Sequence, residues 1–197
     1  DDVSMGSVNI SGPGSLMDID HHLYVGDSGN GNLNIGNGGV VTNTIGILGF
    51  SAIGVGNVTV DGAGSSWTSS NLTVGSDGTG TLNIQNGGSV SSYSTTLGSG
   101  IASSGSATIS GAGSSLIASS DIVVGESGAG SLVVQDGASA SSVDGFIGDN
   151  AGSNGSVLIN GGSWSLSDAL TVGGYGAGDL VVQNAGHMFS WGNSFLG

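Results

Sequence analysis

Residues 62–90 read GAGSSWTSSNLTVGSDGTGTLNIQNGGSV, and the phrase returns as GAGSSLIASSDIVVGESGAGSLVVQDGAS at 111–139 and as GGSWSLSDALTVGGYGAGDLVVQNAG at 161–186. Inside each copy sits a shorter unit, Gly-x-aliphatic-x-aliphatic. It occurs at Gly6-Ser-Val8-Asn-Ile10, Gly31-Asn-Leu33-Asn-Ile35 and Gly56-Asn-Val58-Thr-Val60, and continues at Leu82/Ile84, Ala107/Ile109, Leu132/Val134, Val157/Ile159 and Leu180/Val182. Eight units about 25 residues apart fill the chain, and a period in that range marks a solenoid.

Within a unit, apolar and polar residues alternate over three to five positions, which is strand periodicity; no apolar stripe of helical period is long enough for a helix. Short strands separated by Gly, Asn, Asp and Ser predict an all-β fold, a parallel β-helix of about eight coils. Each strand would bond to its copy in the next coil, roughly 4.8 Å away, giving a rod of roughly 40 Å. Parallel crossovers are overwhelmingly right-handed, so the right-handed form is expected.

Aligned units give columns that must face inward. One is Ile10, Ile35, Val60, Ile84, Ile109, Val134, Ile159, Val182; another is Val25, Leu48, Val74, Leu97, Val124, Ile147, Val172, Leu196. A third alternates in size: Leu16, Val41, Trp67, Val90, Leu116, Ala140, Trp164, Met188. Large and small residues in neighbouring coils would interlock, as a close-packed interior requires. Trp67 and Trp164 are therefore expected in the core, not on the surface as sugar-stacking platforms. The corner column is Ser11, Asn37, Asp61, Asn86, Ser110, Asp136, Asn160 and Asn184, with Gly after all but the last. These are turn residues, so Asp61 and Asp136 are not read as catalysts.

Composition removes several functions. The 197 residues include 42 Gly, no Lys, Arg or Cys, and carry a formal charge of −14. Mean hydropathy is positive, and Leu, Ile and Val are too frequent for a disordered chain. Phosphate backbones are bound through Lys and Arg, so nucleic acid is not an expected partner. An anionic membrane surface would repel the chain, and no apolar run approaches the length of a bilayer span. Without cysteine there is neither a disulfide framework nor thiolate chemistry.

The phrase V-x-G-x-G-S-x-W…L-x-V-G-x-x-G-x-G-x-L-x-I-x-x-G-G-x-V, which Val60 to Val90 match almost residue for residue, resembles the repeat shared by type V autotransporter passengers and PEP-CTERM bacterial surface proteins. Looser copies cover the rest. Leu16 and Leu116 replace the tryptophan in two of them, and the corner before Trp164 is shortened. The resemblance implies export, a β-helical stalk, and a structural or adhesive role at the bacterial cell surface. Residues 1–197 are accordingly expected to form a single β-helical domain belonging to a longer exported protein.

No catalytic residue, metal ligand or cofactor is assigned. Polysaccharide lyases on β-helices use Arg or Lys, which this chain lacks, so an enzyme is not expected; a polysaccharide-degrading β-helix enzyme and a calcium-stabilised carbohydrate-binding module are the alternatives. The run Asp18-Ile-Asp20-His21-His22 would place Asp18, Asp20 and His22 on one strand face, but a solvated corner is the preferred reading. Asp121 with Asp144, and Glu126 with Asp149, are expected side by side on consecutive coils, where like charges destabilise and one member titrates high unless a cation bridges them. Screening of both pairs by water is the preferred reading; two weak calcium sites on the fifth and sixth coils are the sharper alternative. Finally, the outward positions Asn9, Asn34, Thr59, Asn83 and Thr108 give way to Val133, Leu158 and Val181, an apolar strip. With no polar capping unit after the eighth coil, the C-terminal half is expected to meet neighbouring repeats, another domain or copies of itself. A surface glycan or protein ligand is the other expected partner.

Overall fold

The computed structural model describes residues 4–197 and is a β-solenoid without a helix. Its first face is an eight-stranded parallel sheet. The strands are Met5–Ser11, Asn30–Gly36, Val55–Asp61, Thr79–Gln85, Ser104–Ser110, Ala129–Gln135, Asn154–Asn160 and Ala177–Gln183. Register is continuous through all eight, with Ile10 beside Ile35, then Val60, Ile84, Ile109, Val134, Ile159 and Val182. These strands begin earlier than the alternating segments suggest, because each takes in the glycine that opens the unit.

A thirteen-stranded parallel sheet forms the rest of the wall. In the first three coils it is built from long strands, Leu16–Val25, Val40–Leu48 and Ser66–Val74; from Ser89–Ser92 and Ser94–Leu97 onward each long strand is split in two. The second inward column runs unbroken from Val25 to Leu196. In the third, Val41 to Met188 align as expected, but the first coil contributes Met17. Leu16 stands outside at 60% exposure. It follows the corner serine Ser15, so it aligns with Val40 and Ser66, which are outward positions.

The core is the tube between the sheets. Trp67, Trp164, Leu48, Ile84, Leu97, Ile109, Leu116 and Leu132 are all fully buried within it. At the two ends a column residue has a neighbour on one side only, so Val182 is 42% and Leu196 81% exposed.

Two corner types alternate and share the fifty-residue phrase with the core column. In even coils the corner residue itself takes positive φ, at Asn37 (52°), Asn86 (54°), Asp136 (56°) and Asn184 (52°). In odd coils Ser11, Asp61, Ser110 and Asn160 end the strand and the following glycine turns. These side chains bond across coils more than to local backbone: Asn86 Nδ2 donates to Asp61 Oδ1 at 2.7 Å, and Asn184 Nδ2 to Asn160 Oδ1 at 2.6 Å. The buried hydroxyls of Ser65 and Ser114 accept from the amides of Gly38 and Gly87 in the preceding coil, each at 3.0 Å. The third and fifth coils are thus each fitted to the even coil beneath them, while at the shortened corner of the seventh the Gly137 amide donates to the Gly161 carbonyl.

The motif Val-Gly-x-x-Gly-x-Gly also acquires a reason. Its first glycine turns with positive φ, 74° at Gly75 and 75° at Gly125. The amide of that glycine occupies the place a Cβ would need at the third: 2.2 Å from Gly75 N at Gly80, and 2.1 Å from Gly125 N at Gly130. A backbone approach this close admits only glycine.

Candidate functional site

The two acidic pairs lie where the alignment puts them. Ile122 pairs with Gly145, which sets Asp121 beside Asp144, and Val124 pairs with Ile147, which sets Glu126 beside Asp149 just past the strand ends. All four are half-buried. Internal donors already engage two of them: Ala169 N–H donates to Asp144 Oδ1 at 2.8 Å, and Ser99 Oγ donates to Glu126 Oε2 at 2.5 Å. Partial burial, and then the charge of Glu126, raise the Asp149 carboxyl above the usual aspartate range. An acid raised in this way holds its proton more tightly folded than unfolded. Its stabilising contribution is present in acid and is lost as pH rises from the ordinary aspartate range through the raised value. Asp149→Asn should therefore flatten the acidic limb of the stability–pH curve without lowering the neutral-pH urea midpoint. An unchanged difference between acid and neutral midpoints would refute the raised Asp149 carboxyl.

The Asp18–His22 run does not assemble into one ligand face. The ladder shifts register between Ile19 and His22, so Asp20 and His21 stand on a bulge. The Thr42 hydroxyl donates to Asp18 across the coils, while His22 Nδ1 and the Tyr24 hydroxyl share a hydrogen bond of 2.9 Å. Among the described residues, no three Asp, Glu or His side chains converge as a metal site. Asp61 and Asp136 occupy corners: Asp61 accepts from Asn86, and Asp136 turns the chain. His187 stacks on Phe189 at 6.0 Å.

Trp67 and Trp164 are inside, with a feature that spacing alone did not reveal. Each indole lies over a glycine of the preceding coil, Gly46 beneath Trp67 and Gly145 beneath Trp164. Each ring nitrogen has a buried acceptor. Trp67 Nε1 donates to Asn43 Oδ1 at 2.6 Å, and Trp164 Nε1 to Ser142 Oγ at 3.2 Å.

On the outer surface, Val133, Leu158 and Val181 are consecutive in register and partly exposed. An aromatic group that the alignment did not foresee stands at the other end, where Tyr24 meets Phe50 edge-on at 5.0 Å and His22 at 5.7 Å. Phe50 lies in a corner beyond the reach of strand alternation; the aromatic pair Tyr24 and Phe50 in neighbouring coils was the only signal. A concavity of about 540 Å3 lies at the first coil, walled by Val8, Met17, Leu23 and Leu33. Among the described residues, Asp27 is its one charged lining residue.

No family model, curated protein or solved structure matches this chain.

Proposed function

We propose that the chain is part of an extracellular structural or adhesive rod of a bacterial surface or secreted protein. The observation that supports this reading is the unbroken stack. Two inward columns run through all eight coils, and every coil rests on the next through parallel strands. Such a stack is a spacer: it keeps its shape through nearest-neighbour contacts and offers long, repetitive outer faces. The charge of −14 with no cation opposes collapse onto anionic envelopes and favours dispersal in water. On this reading, exchange of single outer residues changes what the rod touches, while exchange of inner ones destroys it.

Its location is tested by protease treatment of intact cells that make the protein with an epitope tag. Loss of the tag while a cytoplasmic marker survives is the expected result. A tag that is degraded only after lysis would overturn the extracellular reading.

A further inference from the structure

We propose that the eight-stranded sheet is a self-association face, on which a second copy of this chain lies side by side with its rod axis parallel. The inference goes beyond the surface reading and rests on the fold alone, so its failure leaves that reading untouched.

Charge selects the face. Among the described residues, Asp61 and Asp179 are the only acids on its strands. The other wall carries Asp18 and Asp20 on its strands and Asp121, Asp144 and Asp168 in the bend between its paired strands, while Asp27, Asp77, Glu126, Asp149 and Asp136 lie in the corners that the two walls share. Two polyanions with no basic residue can approach closely only where each has least charge. Outer positions of the eight-stranded sheet are mostly Ser, Thr and Asn, with Met5 and Val55 at its edge, and in the central column they turn aliphatic at coils six to eight.

Size and shape agree. Every strand of the sheet is seven residues long, and register never shifts through eight coils. Ordinary strand dimensions give a face of roughly 800 Å2, about what each partner contributes to a standard stable interface.

Symmetry then fixes the arrangement. A two-fold axis parallel to the rod, passing over the column from Asn9 to Val181, sets each coil opposite its own copy and reverses strand direction. Val133, Leu158 and Val181 pack on themselves. Positions two residues to either side exchange places, so Asp61 faces Asn57 of the second copy and Asp179 faces Gln183, each an amide that can donate to a carboxylate. No acid on the face meets another. Opposed rods would set the strip against the polar first coils and leave it unmatched.

Sedimentation equilibrium of the wild-type chain, at low and high sodium chloride, is the test. Dimer is expected, and more of it at high salt, because the Debye length falls from about 30 Å at 0.01 M to about 3 Å at 1 M and screens the remaining repulsion. Replacing the strip by Val133→Thr, Leu158→Thr and Val181→Thr keeps β-branched or strand-compatible residues. It should weaken the dimer by roughly tenfold or more, about 1.4 kcal/mol. Thr108→Glu with Leu158→Glu places like charges across the axis and should give monomer. Ile117→Glu with Thr171→Glu adds the same charge to the other wall and should not. Because the chain has no cysteine, Leu158→Cys can be joined to its own copy by a short bis-maleimide, whereas Ile117→Cys should not be. A wild type that is monomeric at every salt overturns the proposal. So does a dimer that survives the Thr108/Leu158 pair, or one that both glutamate pairs disrupt equally.

Discussion

Trp67→Ala should lower the stability of the rod by about 3–5 kcal/mol, the usual cost of removing a large buried aromatic. The ring is fully buried and fills space that two coils share. A Cβ added to Gly46 would come within 2.6 Å of the indole Cζ2, so the glycine is the complement of the ring. Truncation would leave a void at Gly46 and remove the donor that Asn43 Oδ1 receives at 2.6 Å; an unsatisfied buried acceptor adds about 1–3 kcal/mol where the site cannot relax. Gly46→Val alone should also destabilise, by overfilling. Combined with Trp67→Ala it should cost less than the two changes summed, because the new methyls occupy the emptied space. Urea midpoints of the three variants decide it. A Trp67→Ala change within about 0.5 kcal/mol of wild type would be the behaviour of a surface site.

Gly105→Ala carries the second large effect, about 3 kcal/mol or more, at the upper end of overpacking costs. The added methyl would sit 1.9 Å from the carbonyl oxygen of Val74 and 2.4 Å from the amide of Gly98. Both obstacles are backbone, held by the ladder, so no side-chain rotation relieves them. The first coil supplies a control, because Gly6 is the corresponding residue and, among the described residues, nothing lies within 4 Å of its Cβ position. Gly6→Ala should be close to neutral. Similar melting temperatures for the two alanine variants would mean that the motif is turn chemistry only and that close stacking plays no part.

How far the sequence could be read follows from which contacts are periodic. The columns at Ile10–Val182 and Val25–Leu196 are legible because stacking repeats one position per coil, and a single pattern fixes all eight members. Met17 is not, because Leu16 beside it is equally apolar and only the corner Ser15 sets the phase. Asn43 and Gly46 are also hidden: their partner Trp67 lies one coil later, and nothing in their own strand announces a large neighbour. The acidic pairs were placed correctly by register, yet the donors Ser99 and Ala169 come from other coils and change what those acids can bind. The face of least charge is visible only once the two walls are separated, since acids are scattered along the chain.

The central claim, that the function resides in the stack and not in any one coil, is tested most directly by attachment of cells carrying repeat deletions. Removing 62–110 joins Asp61 to Gly111, and removing 111–160, with Thr95→Gly to take the place of Gly145 beneath Trp164, joins Ser110 to Gly161; each deletion takes out one odd and one even coil and keeps the corner phase. The account predicts that both shortened rods fold and that both reduce attachment to a similar extent. Loss of all attachment with one deletion, and none with the other, would place the activity in a local site and contradict it.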